Sequence, residues 1–215
     1  LNKAALLQRW RDLCAELSAD HASLLAVSKY APDEAVRCLI DAGQMDFAES
    51  RPQSLRDRAL HFPSVRWHMI GPLQKNKAKY IARHAAMWHS VENVETAQAV
   101  AKQVVGRVLP VLVQVNVAGI AHQHGMMPEA VPALLDEIAL LPQLKFTGLM
   151  CMAPRQGDAK TVFSQLRNLR ARLSAGSGQK SEAIRLCMGM SEDYRIAIVE
   201  GADMVRIGSG LFDAG

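Results

Sequence analysis

The sequence predicts an α/β fold: a single (β/α)8 TIM barrel with one extra helix at the amino terminus. Three observations carry this. Eight short apolar segments alternate with amphipathic ones, the rhythm of parallel strands joined by crossover helices. Polar and glycine-rich residues that could carry chemistry collect directly after the apolar segments, where a barrel builds its working face. The 215 residues suit a minimal barrel, with 1–215 as one domain. An open doubly wound sheet is the competing architecture. It would need a glycine-rich phosphate fingerprint after the first strand, and Ser28-Lys29-Tyr30-Ala31-Pro32 contains no GxGxxG.

Each element has a local reason. Leu6, Leu7, Trp10, Leu13, Cys14 and Leu17 recur at helical spacing between Arg9, Arg11, Asp12 and Glu16. The chain therefore opens on an amphipathic helix and not on a secretory leader. Strands are expected at Leu24–Ser28, Met45–Ala48, Val65–Ile70, Met87–Ser90, Val111–Val115, Phe146–Met150, Ile184–Met188 and Met204–Ile207. Helices are expected at Asp33–Ala42, Pro52–His61, Asn76–His84, Val94–Val105, Pro128–Leu140, Ala159–Leu173 and Glu192–Glu200. Pro32-Asp33-Glu34, Asn93 before Glu95, Pro128-Glu129 and Ser191-Glu192-Asp193 supply helix-start chemistry. Gly43, Gly106 and Gly201 stand after helix ends as stop signals. The segment from Ser174 to Ser181 reads as a flexible loop.

Composition narrows the function. With 49% apolar and 21% charged residues the chain can bury a real core. The net charge of +4 is compatible with an anionic small ligand and is only weak evidence for nucleic acid, which is not expected as a partner. Lys75-Asn76-Lys77-Ala78-Lys79 is the densest basic stretch and reads as a solvated helix start, with anion contact as the alternative. No apolar run is long enough to span a bilayer. Cys14, Cys38, Cys151 and Cys187 are scattered without a CxxC, and His122 and His124 lack further ligands nearby. Neither a metal site nor a disulfide framework is indicated, and reduced thiols point to the cytoplasm.

The chemistry collects at strand carboxyl ends. Lys29 closes the first strand. An ammonium half-shielded from water loses its proton more readily, and the neutral amine can form a Schiff base with a carbonyl. The alternative is a lysine snorkelling out of the strand. Glu49 and Ser50 follow the second strand, and His68, Gly71, Gln74 and Asn76 lie at or after the third. Met188, Gly189 and Ser191 follow the seventh strand, and Gly208-Ser209-Gly210 follows the eighth. Barrels often hold phosphate between these last two loops, where glycine permits close approach and amides point outward. Two ordinary glycine turns with an N-cap serine are the alternative. Arg206 either points into the mouth or pairs with an acid such as Glu49 or Asp203. His68 is either a mouth residue or a core-edge histidine, and Trp67 and the methionines read as packing. A lysine on strand one facing a phosphate cradle suggests pyridoxal phosphate, with its aldehyde at Lys29 and Arg206 near its ring nitrogen.

Six pieces carry a family resemblance: LLAVSKY (24–30), DAGQMDFAES (41–50), RWHMIGPLQKNK (66–77), VLVQVNVAG (111–119), FTGLMCMAP (146–154) and CMGMSEDYRIAIVEGADMVRIGSGLF (187–212). From Leu24 to Gly215 the chain resembles the pyridoxal-phosphate homeostasis proteins. The resemblance implies a barrel like the alanine racemase amino-terminal domain, of pyridoxal-phosphate fold type III, usually monomeric. It implies pyridoxal 5'-phosphate bound covalently to Lys29, phosphate contacts from Ser191, Gly208 and Ser209, and Arg206 near the ring nitrogen. Ser50, His68 and Met188 complete the candidate cofactor contacts. It further implies a role in vitamin B6 balance, supplying cofactor to pyridoxal-phosphate-dependent apoenzymes, without robust turnover. Three positions depart from the pattern. Ser50 replaces an asparagine, Pro72 a common histidine, and Gln123 a typical lysine.

A racemase-like enzyme is the competing function. It needs a second acid/base opposite the lysine. Tyr30, Tyr80 and Tyr194 fall after strand one and on helices, and the chain ends after strand eight without a further domain to supply one. The carrier reading is therefore preferred.

Overall fold

Strands form where the sequence runs apolar without a helical stripe, and helices where the stripe returns. The structure is a computed structural model describing residues 2–154, 157–177 and 183–213. In chain order the elements are α1 (Lys3–Ala19), β1 (Ser23–Val27), α2 (Asp33–Asp41), β2 (Asp46–Glu49), α3 (Pro52–His61), β3 (Arg66–Met69), α4 (Ala78–His84), β4 (Met87–Val91) and α5 (Val94–Ala101). There follow β5 (Leu109–Gln114), α6 (Val131–Ala139), β6 (Leu144–Met150), α7 (Ala159–Ser177), β7 (Arg185–Cys187), α8 (Tyr194–Val199), β8 (Met204–Ile207) and α9 (Ser209–Phe212). The strands close into a parallel barrel in sequence order, with β8 returning to β1. The expected architecture, including the extra first helix, is the observed one.

Side-chain alternation divides the strands between two cores. Phe47, Trp67, Trp88, Val111, Val113, Leu149, Leu186, Val205 and Ile207 face outward and pack with helix residues such as Val36, Leu39, Leu55, Ile81, Val100 and Phe163. Inside the barrel, Leu25, Ala48, Met87, Leu112, Met150, Cys187 and Met204 form a second cluster. β3 contributes no apolar residue to that layer. Its place, in register between Ala48 and Met87, is taken by His68.

Helix boundaries differ from expectation for identifiable reasons. Pro132 lacks an amide and fits only a first turn. Hence α6 begins at Val131, behind a separate 3-10 turn at Pro128–Ala130. The expected start at Asn76 is likewise a 3-10 turn, Lys75–Lys77. α5 stops at Ala101, and the chain turns through Gly106 at φ 69°. α8 starts at Tyr194 because the Asp193 carboxylate accepts from the Met190 amide (2.6 Å) and folds that segment as a turn. α7 runs on to Ser177 with Ser174 buried, so the first part of the expected loop is helix; residues 178–181 lie outside the described residues. Asn93 caps α5 as expected, accepting from the Thr96 amide (2.9 Å).

One close approach shapes the mouth. A Cβ on Gly71 would stand 2.0 Å from the Ser50 carbonyl oxygen, so the loops after β2 and β3 can meet only if residue 71 is glycine. Gly176, by contrast, lies in α7 with open space around it. Gly71→Ala should lower stability by about 1–3 kcal/mol through overpacking. Gly176→Ala should raise it by about 0.5–1 kcal/mol through the unfolded chain's lost freedom. Urea midpoints moving in opposite directions, with unchanged slopes, are the expected result.

Candidate functional site

Strand register decides which residues share the mouth. Ala26 of β1 lies opposite Ile207 of β8, and Val27 lies opposite Ala48 of β2. Just past those strand ends, Lys29, Ser50 and Gly208-Ser209-Gly210 emerge on one rim. Leu25 and Val27 pack into the interior cluster, so alternation puts Lys29 on the interior side as well. Its amine is exposed, with Nζ 5.0 Å from the ring centroid of Tyr30, itself 85% exposed. The half-shielding expected for this lysine is not what the structure has: the amine stands in an open mouth.

The backbone beneath that amine is clamped. Ser28 Oγ donates to Glu49 Oε1 (2.8 Å), and the Ser28 amide donates to the Ala48 carbonyl (3.0 Å). Arg58 reaches in from α3, donates to the Ala31 carbonyl (2.5 Å), pairs with Asp33 and stands 3.6 Å from Glu49. Glu49 is 2% exposed. Burial pushes its carboxyl above the usual range, although Ser28, Arg58 and Lys29 favour the carboxylate.

Across the mouth, Ser191 Oγ accepts from the Gly210 amide (3.1 Å) and ties the loop after β7 to the loop after β8. A Cβ on Gly208 would come 3.3 Å from the Val27 carbonyl, and one on Gly210 would come 3.3 Å from Ser191. The Ser191 and Ser209 hydroxyls stand at this tie, while the Gly210 amide is taken by Ser191 Oγ and the Leu211 and Phe212 amides by the Gly208 carbonyl. The two hydroxyls suit a phosphate.

Arg206 lies below the rim, 4% exposed. It pairs with neither Glu49 nor Asp203. Its guanidinium donates to the carbonyls of Cys187 (2.8 Å) and Cys151 (2.8 Å) and to Cys187 Sγ (3.3 Å). Asp203 instead accepts from the Leu186 amide (2.7 Å) and from Arg170 (3.4 Å). Burial pushes the Cys151 thiol up to about 12 and raises Cys187, with Arg206 opposing both. Neither thiol is a nucleophile at neutral pH.

The mouth thus gathers Lys29, Ser50, Ser191, Gly208 and Ser209, with Arg206 beneath them. Two expected contacts lie elsewhere. The Met188 side chain is buried in the outer core, leaving only its backbone at the end of β7. His68 is buried inside the barrel, with Nε2 3.0 Å from Asp46 Oδ1 and Nδ1 2.8 Å from His89 Nε2. Gln123 donates to the Met152 carbonyl (2.7 Å) and joins the loops after β5 and β6. Arg58, Asp46 and His89 escaped the sequence reading. For His89 the signal was present, since it alternates with Met87 in a strand whose interior face had to be filled. A surface cleft of about 450 Å³ between α4 and α5, lined by Lys75, Lys79, Glu95 and Lys102, holds none of the mouth residues.

Comparison with known proteins agrees with this geometry. The family model described as alanine racemase, N-terminal domain, matches residues 1–214. A pyridoxal phosphate homeostasis protein of Pseudomonas aeruginosa is 37% identical over 222 residues, covering 99% of this chain and 94% of that protein. The structure of PipY from Synechococcus elongatus with PLP bound superposes with a TM-score of 0.84 at 30% identity, covering 97% of this chain and 100% of that one. An alanine racemase of Clostridium difficile shares the fold, with a TM-score of 0.75 at 17% identity over 57% of its length.

Acid should dissolve the interior polar network in a defined window. Burial disfavours the Asp46 carboxylate, but hydrogen bonds from His68 and Arg66 outweigh it and hold the carboxyl well below the usual range. A carboxyl depressed on folding contributes stability above its unfolded value, about pH 4, and loses it as pH falls toward the folded value. The stability gap between the parent and Asp46→Asn should therefore be widest at about pH 5–7 and shrink below about pH 4. Urea unfolding across that range checks it. A gap independent of pH would show that the charge is not what stabilises.

Proposed function

The chain belongs to the pyridoxal phosphate homeostasis family, built on the alanine racemase N-terminal domain fold, and from that premise we propose that it holds pyridoxal 5'-phosphate covalently on Lys29 and supplies it to other proteins. The observation that carries this is the pairing, across one mouth, of a lysine amine with a glycine-serine donor cradle, above a buried arginine. The PLP-bound PipY structure supports the same ligand class. When bound, pyridoxal phosphate supplies an amine-reactive aldehyde and a ring that can delocalise negative charge.

Each group then has a part. Lys29 offers the amine from a clamped strand end. Ser191, Gly208 and Ser209 bind the phosphate by hydroxyl and amide donors. Arg206, always charged, donates to an acceptor nitrogen of the ring and repels a protonated one. Ser50 and the Met188 backbone border the pocket, and His68 supports it from below.

Delivery is favoured over turnover. A two-base racemase needs a second acid/base facing the lysine. The Tyr194 hydroxyl is spent on Glu16 (2.9 Å), and Tyr80 lies among Arg56, Lys77 and Lys79 on the outer surface. Tyr30 shares the strand end of Lys29. The likeness to alanine racemase is one of fold and carries no activity with it. Apoenzymes that need the cofactor are the proposed recipients, a monomer the proposed form, and the free thiols support a reducing, cytoplasmic setting.

Borohydride treatment of protein loaded with pyridoxal phosphate should label the peptide containing Lys29, and Lys29→Ala should lose the visible chromophore. Label found chiefly on Lys75 or Lys77 would overturn the assignment. Pyridoxal without phosphate should bind at least about tenfold more weakly, since each charge-assisted bond is worth roughly 1.5–3 kcal/mol. Equal affinities in an equilibrium titration would remove the cradle.

Loaded protein incubated with L- and D-alanine or serine should show no multiple-turnover racemisation or transamination by chiral chromatography. Sustained turnover that disappears in Lys29→Ala would favour the enzyme reading.

A further inference from the structure

One cation stands on the apolar side of a helix, and the cofactor reading gives it no part. On α3 the buried positions are Pro52 and Leu55, and Arg58 follows them at the same spacing of three. Its side chain is therefore turned toward the barrel. A guanidinium held there needs acceptors. It has three, one for each nitrogen. Nη2 donates to the Ala31 carbonyl (2.5 Å), Nη1 donates to Asp33 at the start of α2, and Nε stands 3.6 Å from Glu49 Oε1 at the end of β2. Among the described residues, Arg58 is the one cation that pairs with Glu49.

These three acceptors surround a single turn. The Ala31 amide donates to the Ser28 carbonyl (2.9 Å), so Ser28 to Ala31 is a four-residue turn with Lys29 and Tyr30 at its centre. Ser28 holds the entry, its Oγ donating to Glu49 Oε1 (2.8 Å). Arg58 holds the exit at the Ala31 carbonyl. Both holds meet at Glu49, since the oxygen that accepts from Ser28 also faces Arg58 Nε. Between the two anchors, Lys29 and Tyr30 are exposed. A guanidinium can serve three acceptors at once because its nitrogens diverge in a fixed plane. Removing it would free the exit of the turn. It would also leave Glu49, a carboxylate 2% exposed, without its counter-charge.

We propose that Arg58 is a positioning residue for Lys29: through Ala31, Asp33 and Glu49 it fixes the turn that carries the amine, and it thereby governs capture of the aldehyde without taking part in binding the phosphate. The three-way hold stands on the protein alone. Its consequence for the ligand deepens the cofactor reading and rests on it. The Lys29 side chain is long and exposed, so the origin of its reach is the part the fold can set. Covalent capture depends steeply on where the two reacting atoms meet. The proposed phosphate donors, Ser191 and Ser209, lie across the mouth on loops to which Arg58 makes no hydrogen bond among the described residues.

Hydrogen exchange of the unloaded full chain tests the hold. Arg58→Met should speed exchange of the Ala31 amide at least about tenfold. Arg56→Met, on the same helix but paired with the exposed Asp57, should leave it unchanged. An Ala31 amide equally protected in Arg58→Met and the parent would overturn the hold. Two ligands with the same phosphate then separate the steps. Pyridoxal phosphate carries the aldehyde, and pyridoxine 5'-phosphate carries an alcohol in its place. In equilibrium titrations Arg58→Met should weaken pyridoxal phosphate about tenfold and pyridoxine 5'-phosphate less than about twofold. Equal loss for both ligands, or no loss for pyridoxal phosphate, would overturn the positioning role. Failure of the parent to bind either ligand would sink the cofactor reading, leaving the exchange arm to decide the hold. The double variant Arg58→Met, Glu49→Gln removes the unpaired charge and keeps both arms open should the single variant not fold.

Discussion

The mouth depends on one pairing, β8 against β1. Four register pairs, from Ser23 opposite Met204 to Ala26 opposite Ile207, bring the two ends of the chain together. Without them Lys29 and the Gly208-Ser209-Gly210 loop have no common rim. Closing so long a loop costs entropy that local contacts cannot offset. The neighbouring joint gives little help, since β7 and β8 share a single register pair. The extra helix α1 is what secures the seam. Arg9 donates to the Leu211 carbonyl (3.0 Å), Glu16 binds Tyr194 and Arg195 on α8, and Lys3 pairs with Glu34 on α2. Leu6 and Leu17 are buried beneath it. A helix that the barrel architecture does not require thus holds the working edge closed.

Mobility is divided unequally around that edge. The amine of Lys29 is exposed, but the backbone that carries it is tied to β2 through Ser28 and Glu49 and to α3 through Arg58. The side chain can reach for a carbonyl while its origin stays put. On the side of the loops after β7 and β8, Gly208 and Gly210 approach Val27 and Ser191 closely, and Ser191 ties the two loops together. A side chain free to search from a fixed strand end, facing two loops tied together, fits the proposed capture of a phosphate-bearing aldehyde.

Strand count, order and the placement of Lys29, Ser191 and Ser209 were legible because they follow from periodicity and from the rule that barrels work at strand carboxyl ends. What escaped the sequence was anything set by a partner distant in the chain. Met188 and His68 stand next to mouth residues in sequence, yet alternation sends one side chain outward and the other into the barrel. Arg58 reads as a solvated residue on α3, and only the fold shows it gripping the loop that bears Lys29. Pro132 shows the opposite case. Its missing amide was on view from the start, and it explains why α6 begins late.

Arg206 unites the structural and chemical roles of the interior. Its guanidinium supplies donors to the carbonyls of Cys151 and Cys187, so it joins the ends of β6 and β7 to β8. Withdrawing it would leave the Cys151 carbonyl without its donor, at a cost of about 1–3 kcal/mol, and the Cys187 carbonyl with only the Cys151 amide (3.3 Å). It cannot swing out to meet a ligand, and a ligand must come down to it. The donors that remain on it are oriented by folding and not by binding, so little ordering is left for the binding step. With carbonyls and one thiol as its partners among the described residues, Arg206 would, on the proposed reading, meet a ring nitrogen as a full cation. Such a field would favour an acceptor over a protonated ring, the electrostatic condition that the proposed carrier role requires.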